Sequence, residues 1–263
     1  MGRLLLRGRL ALTALALAGL ETPDANAQAP QPREAPTVVM GDLARRDVRV
    51  PESEPSISGD WFTLGSARNL SPLDGGPTPF QPWSRQLFDA RGLAERNGAP
   101  QFDPNANCLP PGLPRFLAVP FAFEIVQTPD KIVFASEIMH SFRIIHMDGK
   151  PKPADYKPSD YGYSVGHWEG DMLVVETTGL NGFTPTDIEG RAKSNRMRIV
   201  EQLRKVAPNL LEITFTLDDP VTYTRAWSAR QRFAWRPDAR IEEYVCEENN
   251  RNTTAPTGVQ RGR

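Results

Sequence analysis

Cysteine and histidine are scarce in this 263-residue chain, which has two of the former and three of the latter. Neither Cys108 nor Cys246 lies in a Cys-x-x-Cys pair or beside a histidine, which disfavours a thiol nucleophile and a zinc-thiolate centre. His140, His146 and His167 show neither i, i+2 nor i, i+4 spacing. No local ligand motif exists, and although separate strands of a barrel could bring the three together, ordinary surface or hydrogen-bonded core histidines are the expectation and no metal is expected. An excess of one charge is missing too: 31 Lys+Arg stand against 32 Asp+Glu, a formal net charge of -1. A chain so balanced has no global reason to bind nucleic acid or an anionic membrane. The G-x-S-x-G elbow, the Walker loop and the dinucleotide fingerprint are all absent, which disfavours serine hydrolysis, phosphoryl transfer and cofactor-dependent redox chemistry. Long helical patterns are missing as well. What is plentiful is turn chemistry, with 25 prolines and 20 glycines, and this suits many short strands in a single core.

The N-terminus reads as an address. Arg3, Arg7 and Arg9 precede the apolar run Leu10 to Leu20, and the small-residue pattern Ala25-Asn26-Ala27 follows, as in a secretory signal peptide spanning 1–27. Cleavage after Ala29 is the rival, but it would put Pro30 immediately beyond the cut. An uncleaved anchor is the other reading. No later run approaches the roughly 20 apolar residues of a transmembrane helix, so stable membrane insertion is not expected and the mature protein should be periplasmic or secreted. Residues 28–55 mix proline and charge without a hydrophobic period and read as a flexible linker. The folded domain is expected over 56–251, with a disordered tail at 252–263. In an oxidising compartment Cys108 and Cys246 most simply form one disulfide, contributing about 2 to 5 kcal/mol; two buried free thiols are the alternative.

Strand signals fill the folded part. Ser58-Gly59-Asp60-Trp61 opens it, and a helix from Pro82 to Arg96 follows, stopped at Asn97-Gly98. FEIVQTP, KIVFASEIM and SFRIIHMDG read as a meander, and Glu169-Gly170-Asp171 as a tight hairpin turn inside SVGHWEGDMLVVETTGL. MRIVEQLRKV, LLEITFTLDDP, YTRAWSARQRFAW and RIEEYVCEE complete about nine or ten strands. So many consecutive antiparallel strands have an edge problem that closure solves. The expected fold is therefore mainly β, an antiparallel calycin-like barrel with a short helix and long loops. A barrel is preferred to a sandwich because otherwise apolar strand faces carry single ionisable residues. Ile199, Glu201 and Leu203 form one such set; Val133, Ala135, Glu137 and Met139 form another, unless Ile132, Phe134 and Ile138 point inward and Glu137 faces water.

The stretches CLPPGLPR, FEIVQTPDKI, DYGYSVGHWEGDMLVVETTGLN (160–181) and IEEYVCEENNR together resemble a large family of exported bacterial proteins with a lipocalin-like barrel. The resemblance covers roughly 102–251, and it bears on fold far more than on function. Matching positions include Glu137, Arg143, Asp148, Ser164, Trp168, Glu169, Asp187, Ser194, Glu201, Glu243, Cys246 and Asn249. Relatives commonly carry histidine where this chain has Tyr163 and Lys193, so histidine-based chemistry does not transfer at those two positions.

What remains is cofactor-free acid-base work on a small hydrophobic, even plant-derived aromatic, molecule. Glu201 or Glu137, desolvated in a cavity, would titrate near neutral pH while Arg143, Tyr163 or His167 holds or protonates the substrate. Ser164, Trp168 and Trp227 would line the ligand site, with Trp235 as a further apolar wall. The expected activity is that of an exported lyase or isomerase. A carrier of the same kind of molecule is the alternative, and a structural envelope protein with a filled barrel is a third. In the bland version Glu201 pairs with Arg143 as a buried polar girdle without catalysis.

Overall fold

Alternating inward and outward side chains close a nine-stranded barrel in chain order, with each strand beside its sequence neighbours and the first beside the last. The structure, a computed structural model, describes residues 55–64, 70–98, 103–238 and 240–246. These all belong to one unit of the chain, Asp47–Arg263. The expected signal segment 1–27, the linker to residue 54 and the tail 252–263 lie outside the described residues.

The strands are β1 (Gly59–Thr63), β2 (Phe123–Gln127), β3 (Lys131–Ser136), β4 (Phe142–His146), β5 (Tyr163–Glu169), β6 (Met172–Thr178), β7 (Arg198–Ala207), β8 (Leu210–Asp218) and β9 (Trp227–Trp235). Helix α1 (Pro82–Arg96) has proline in its first turn, where no intrahelical donor is lost, and Arg96 in its last. It attaches through Phe88, which meets Phe80 at 5.1 Å, and through Trp83 Nε1, which donates to the Val221 carbonyl at 2.8 Å.

Two expectations need correction. The first concerns strand direction: every pairing is antiparallel except β4 with β5, which is parallel and registers only Ile145 with Ser164 and His146 with Val165. A parallel pair requires the chain to return to the starting end, and the proline-rich connection from Met147 to Gly162 supplies that return. The second is the last strand. Residues 240–245 carry no strand, because β9 already pairs with β8 on one edge and β1 on the other, which leaves no edge free. The segment is instead pinned by the Cys108–Cys246 disulfide, by Tyr244 against Phe121 at 5.2 Å, and by the Glu242 amide, which donates to Glu137 Oε1 at 3.0 Å.

Period-two patterning places Ile132 and Phe134, Leu173 and Val175, Ile199 and Leu203, and Leu211, Ile213 and Phe215 inside. Trp61 is fully enclosed and donates Nε1 to the Ile57 carbonyl at 2.9 Å. Phe123 gathers Phe116, Phe134 and Phe233 around it. Gly166 is required at the seam: a Cβ there would sit 2.8 Å from Ile145 Cγ2 and 2.9 Å from Met147 Sδ. Gly170, at φ +62, makes the β5–β6 hairpin turn. No described helix is long and apolar enough to cross a membrane.

Candidate functional site: the seam between β4 and β5

The alternation that turns Phe142 and Ile144 outward on β4 turns Arg143 inward, and the same rule brings in Ser164 on β5, Thr177 on β6 and Glu201 on β7. Arg143 and Glu201 are each only 1% exposed. Arg143 donates from one terminal nitrogen to Glu201 Oε1 at 2.9 Å and from the other to Oε2, so both carboxylate oxygens are engaged. The remaining donors reach Ser164 Oγ at 3.1 and 3.3 Å and Thr177 Oγ1 at 3.1 Å, and those two hydroxyls share a 2.7 Å hydrogen bond. Phe134 stacks beneath the guanidinium at 5.6 Å. Such a pair is tolerated in a core only with its polar atoms satisfied, and here four residues satisfy one another.

The interior around this girdle is closed by hydrocarbon. Phe134, Ile145, Leu173, Val175, Leu203 and Phe215 are all fully buried. The expected hollow interior is thus only half met among the described residues: ionisable groups project inward, but into a filled space.

Glu137, Tyr163 and His167 do not join Glu201. Glu137 is not on a strand face, since β3 ends at Ser136 and Glu137 starts a short 3-10 turn; of the two inward sets weighed for this segment, Ile132, Phe134 and Ile138 are the buried one. Its carboxylate is half-buried and accepts from the Ala122 and Glu242 amides. His167 lies on the outer face of β5, its Nε2 3.1 Å from Glu169 Oε1. Tyr163 is also outside, its ring stacked on His146 at 4.4 Å. Trp168 is half-buried against the core, while Trp227 packs edge-on to Tyr223 at 5.5 Å with no partner for its Nε1 hydrogen. Trp235 is 41% exposed.

A cavity of about 440 Å³ opens where the parallel seam runs out. With only Ile145 and His146 registered to β5, residues 142–144 face residues 161–163 across a gap instead of a ladder. Phe142, Ile144, Tyr156, Tyr161, Tyr163 and Pro110 give it an apolar and aromatic wall, His140 and His146 stand at its sides, and Arg143 lies at its back. Ser141 and Tyr161 also line it, but their hydroxyl oxygens are sealed from the cavity, lie beside each other and make no hydrogen bond of ordinary geometry. Burial pushes the Tyr161 phenol well up, the nearby Ser141 hydroxyl offsetting part of the rise. Met139 and His140, on the wall, adopt left-handed backbone at φ 55 and 47, a conformation disfavoured in non-glycine residues. Sequence reasoning reached Arg143 and Tyr163 here but missed Ser141, Tyr156 and Tyr161, which sit outside any strand periodicity.

Other groups lie apart from this cavity. A second cavity of about 520 Å³ spreads over the outer faces of β5, β6 and β7, between His167, Arg198 and the loop bearing Lys150 and Lys152; Tyr163 borders both. Lys193 is buried between the Leu113 carbonyl and Thr184 Oγ1, to both of which its ammonium donates, and burial lowers it to about 7. Asp187 anchors the loops above the barrel, accepting from the Leu70 and Arg191 amides and pairing with the Arg191 guanidinium. Among the described residues no group of three or more His, Cys, Asp or Glu is placed to hold a metal ion. In comparisons with known proteins, no family model matches the chain and no curated protein matches its sequence.

Proposed function

We propose that the protein binds a small, largely apolar aromatic molecule in the cavity at the β4–β5 seam, as an exported carrier. The observation that carries this reading is the lining: an aromatic and aliphatic wall around about 440 Å³, with His140, His146 and Arg143 as polar groups among its residues. That volume and that mixture are typical of small-molecule sites. The enclosed hydrocarbon of the interior, among the described residues, favours binding in the wall over binding inside the barrel. The same reading puts the protein in the periplasm or outside the cell, with 1–27 as the signal segment, and the Cys108–Cys246 disulfide supports an oxidising compartment.

Proton-transfer catalysis by a lyase or isomerase is the second reading. The left-handed Met139-His140 pair favours it, because backbone held in such conformations concentrates at reactive sites. With both oxygens of Glu201 held by Arg143, the base in that version would be His140 or His146.

The test of binding uses the neutral fluorophore N-phenyl-1-naphthylamine. Saturable one-to-one binding is expected with the mature protein. Ile144 faces outward and is partly exposed, so Ile144→Glu should keep the melting temperature while losing the fluorophore. Undiminished binding by Ile144→Glu would move the site away from the seam. Incubating any copurified small molecule with the protein, followed by mass spectrometry, separates the readings: conversion supports the enzyme, recovery unchanged supports the carrier.

A further inference from the structure

We infer that the groove over the outer faces of β5, β6 and β7 is a second binding site, separate from the seam, and that it takes a small aryl carboxylate, one negative charge on a flat apolar body.

The floor of the groove is apolar where a barrel exterior facing water is ordinarily polar. Strand pairing sets Val165 and Val200 on either side of Glu176, and Val174 beside His167, so three valines point out of the sheet together. All three are only half-buried. Gly149, at φ +69, makes the turn that brings Lys150, Pro151 and Lys152 against this face, and with Tyr163 they complete a lining around about 520 Å³. Three strands give the floor a width of about 10 Å, which suits a fused aromatic ring.

Charge selects the occupant. Four basic side chains line the groove, and three already have an acid: Lys150 meets Asp148 at 2.9 Å, Arg198 meets Glu176 at 2.5 Å, and His167 meets Glu169 at 3.1 Å. Lys152, the fourth, has no acidic partner among the described residues, and its ammonium stands 5.8 Å from the centre of the Tyr156 ring. Its stem packs on the backbone of Gly179, where an added Cβ would come within 3.2 Å of Lys152 Cδ. The side chain is half-buried, so this cation is held in place rather than trailing in solvent. One uncompensated positive charge beside an apolar floor is complemented by one negative charge on an apolar body. A dianion fits worse: its second charge would have to draw Lys150 or Arg198 away from an acid, and Glu176 in the floor would repel it.

Calorimetry with three probes of one shape tests this: 2-naphthoate, the neutral 2-naphthamide and naphthalene-2,6-dicarboxylate, each titrated into protein saturated with N-phenyl-1-naphthylamine. With the seam occupied, naphthoate should still bind one to one, about fivefold more tightly than the amide and no less tightly than the dianion. Lys152→Gln should bring naphthoate to within about twofold of the amide, whose own affinity stays as in the wild type. Val200 lines this groove and not the seam, so Val200→Glu should weaken naphthoate by about tenfold or more while keeping the melting temperature and the binding of N-phenyl-1-naphthylamine. Displacement of naphthoate by N-phenyl-1-naphthylamine would put it in the seam and overturn a second site. A preference for naphthoate that survives Lys152→Gln, or tighter binding of the dianion, would overturn the single-charge assignment. Undiminished naphthoate binding by Val200→Glu, or no binding of naphthoate by the wild type, would overturn the groove. Naphthoate binding by a protein that refuses N-phenyl-1-naphthylamine would instead overturn the seam reading and leave the groove standing.

Discussion

Removing one member of the Arg143–Glu201 pair should damage the fold more than removing both. The two side chains are each 1% exposed, and Glu201 uses both oxygens on the guanidinium. Glu201→Gln keeps the shape but leaves a buried cation facing a neutral amide, and Arg143→Met leaves a buried carboxylate with no donor from β4. Breaking a fully enclosed pair in this way costs about 3 to 5 kcal/mol. The double replacement Arg143→Met/Glu201→Leu removes the charge along with its desolvation, and hydrocarbon of similar volume should restore most of the loss. At a urea slope of about 2 kcal/mol per molar, each single variant should lower the unfolding midpoint by about 1.5 to 2.5 M. The double variant should return to within about 0.5 M of wild type, and the cycle should give a coupling of about 3 kcal/mol or more. Ser164 and Thr177 temper the recovery, because their hydroxyls lose the guanidinium while keeping the 2.7 Å bond to each other. Single losses below about 1 kcal/mol with no coupling would refute the enclosed pair, since that is how solvated surface pairs behave.

Lys193 makes stability depend on pH. Its folded value near 7 lies below the ordinary 10.5, so between those values the unfolded chain binds more protons and stability should rise with pH, by up to about 5 kcal/mol across the window. Lys193→Met should flatten that slope in urea melts between pH 7 and 9.5; an unchanged slope would place the amine in water. Reducing the disulfide reopens a loop spanning a sequence separation of 138, worth about 5 kcal/mol by chain entropy alone and about 2 to 5 in practice. Cys246→Ser should therefore lower the melting temperature by several degrees even without reductant, and a wild-type melting temperature would contradict the pinning of the C-terminal segment. Gly166→Ala should destabilise by about 1 to 3 kcal/mol, since its Cβ meets Ile145 Cγ2 at 2.8 Å; a neutral effect would show that the seam yields.

Barrel closure and most strands are legible in the chain because period-two alternation is local. Ile199, Glu201 and Leu203 announce an inward carboxylate on β7 whatever the partner strand is. The helix was equally plain, from its proline start and its Asn97-Gly98 stop. Glu137 was ambiguous because the alternation it belongs to breaks at Ser136, where the chain turns. His167 carried its own signal: with Ser164 and Gly166 buried on the inner face, the residue one step on must point out. The seam cavity had none. It depends on β5 running parallel to β4; the length of the Met147–Gly162 stretch permits that return but does not require it, so Ser141 and Tyr161 meet only once the long return has been made. The strand expected at RIEEYVC failed for a related non-local reason, the prior occupation of both edges of β9.

A wall with only two registered residue pairs at one junction is weakest at that flank. Cup-shaped barrels fill from an open end, and traffic there is governed by whatever lids the rim. Here Trp61 and the aromatic cluster around Phe123 are fully enclosed, so a local opening between β4 and β5 would leave them in place. Hydrogen exchange would see this as fast amides along the outer edge of β4 next to slow ones on the edge facing β3. Uptake and release at such a flank would leave the aromatic core around Phe123 undisturbed.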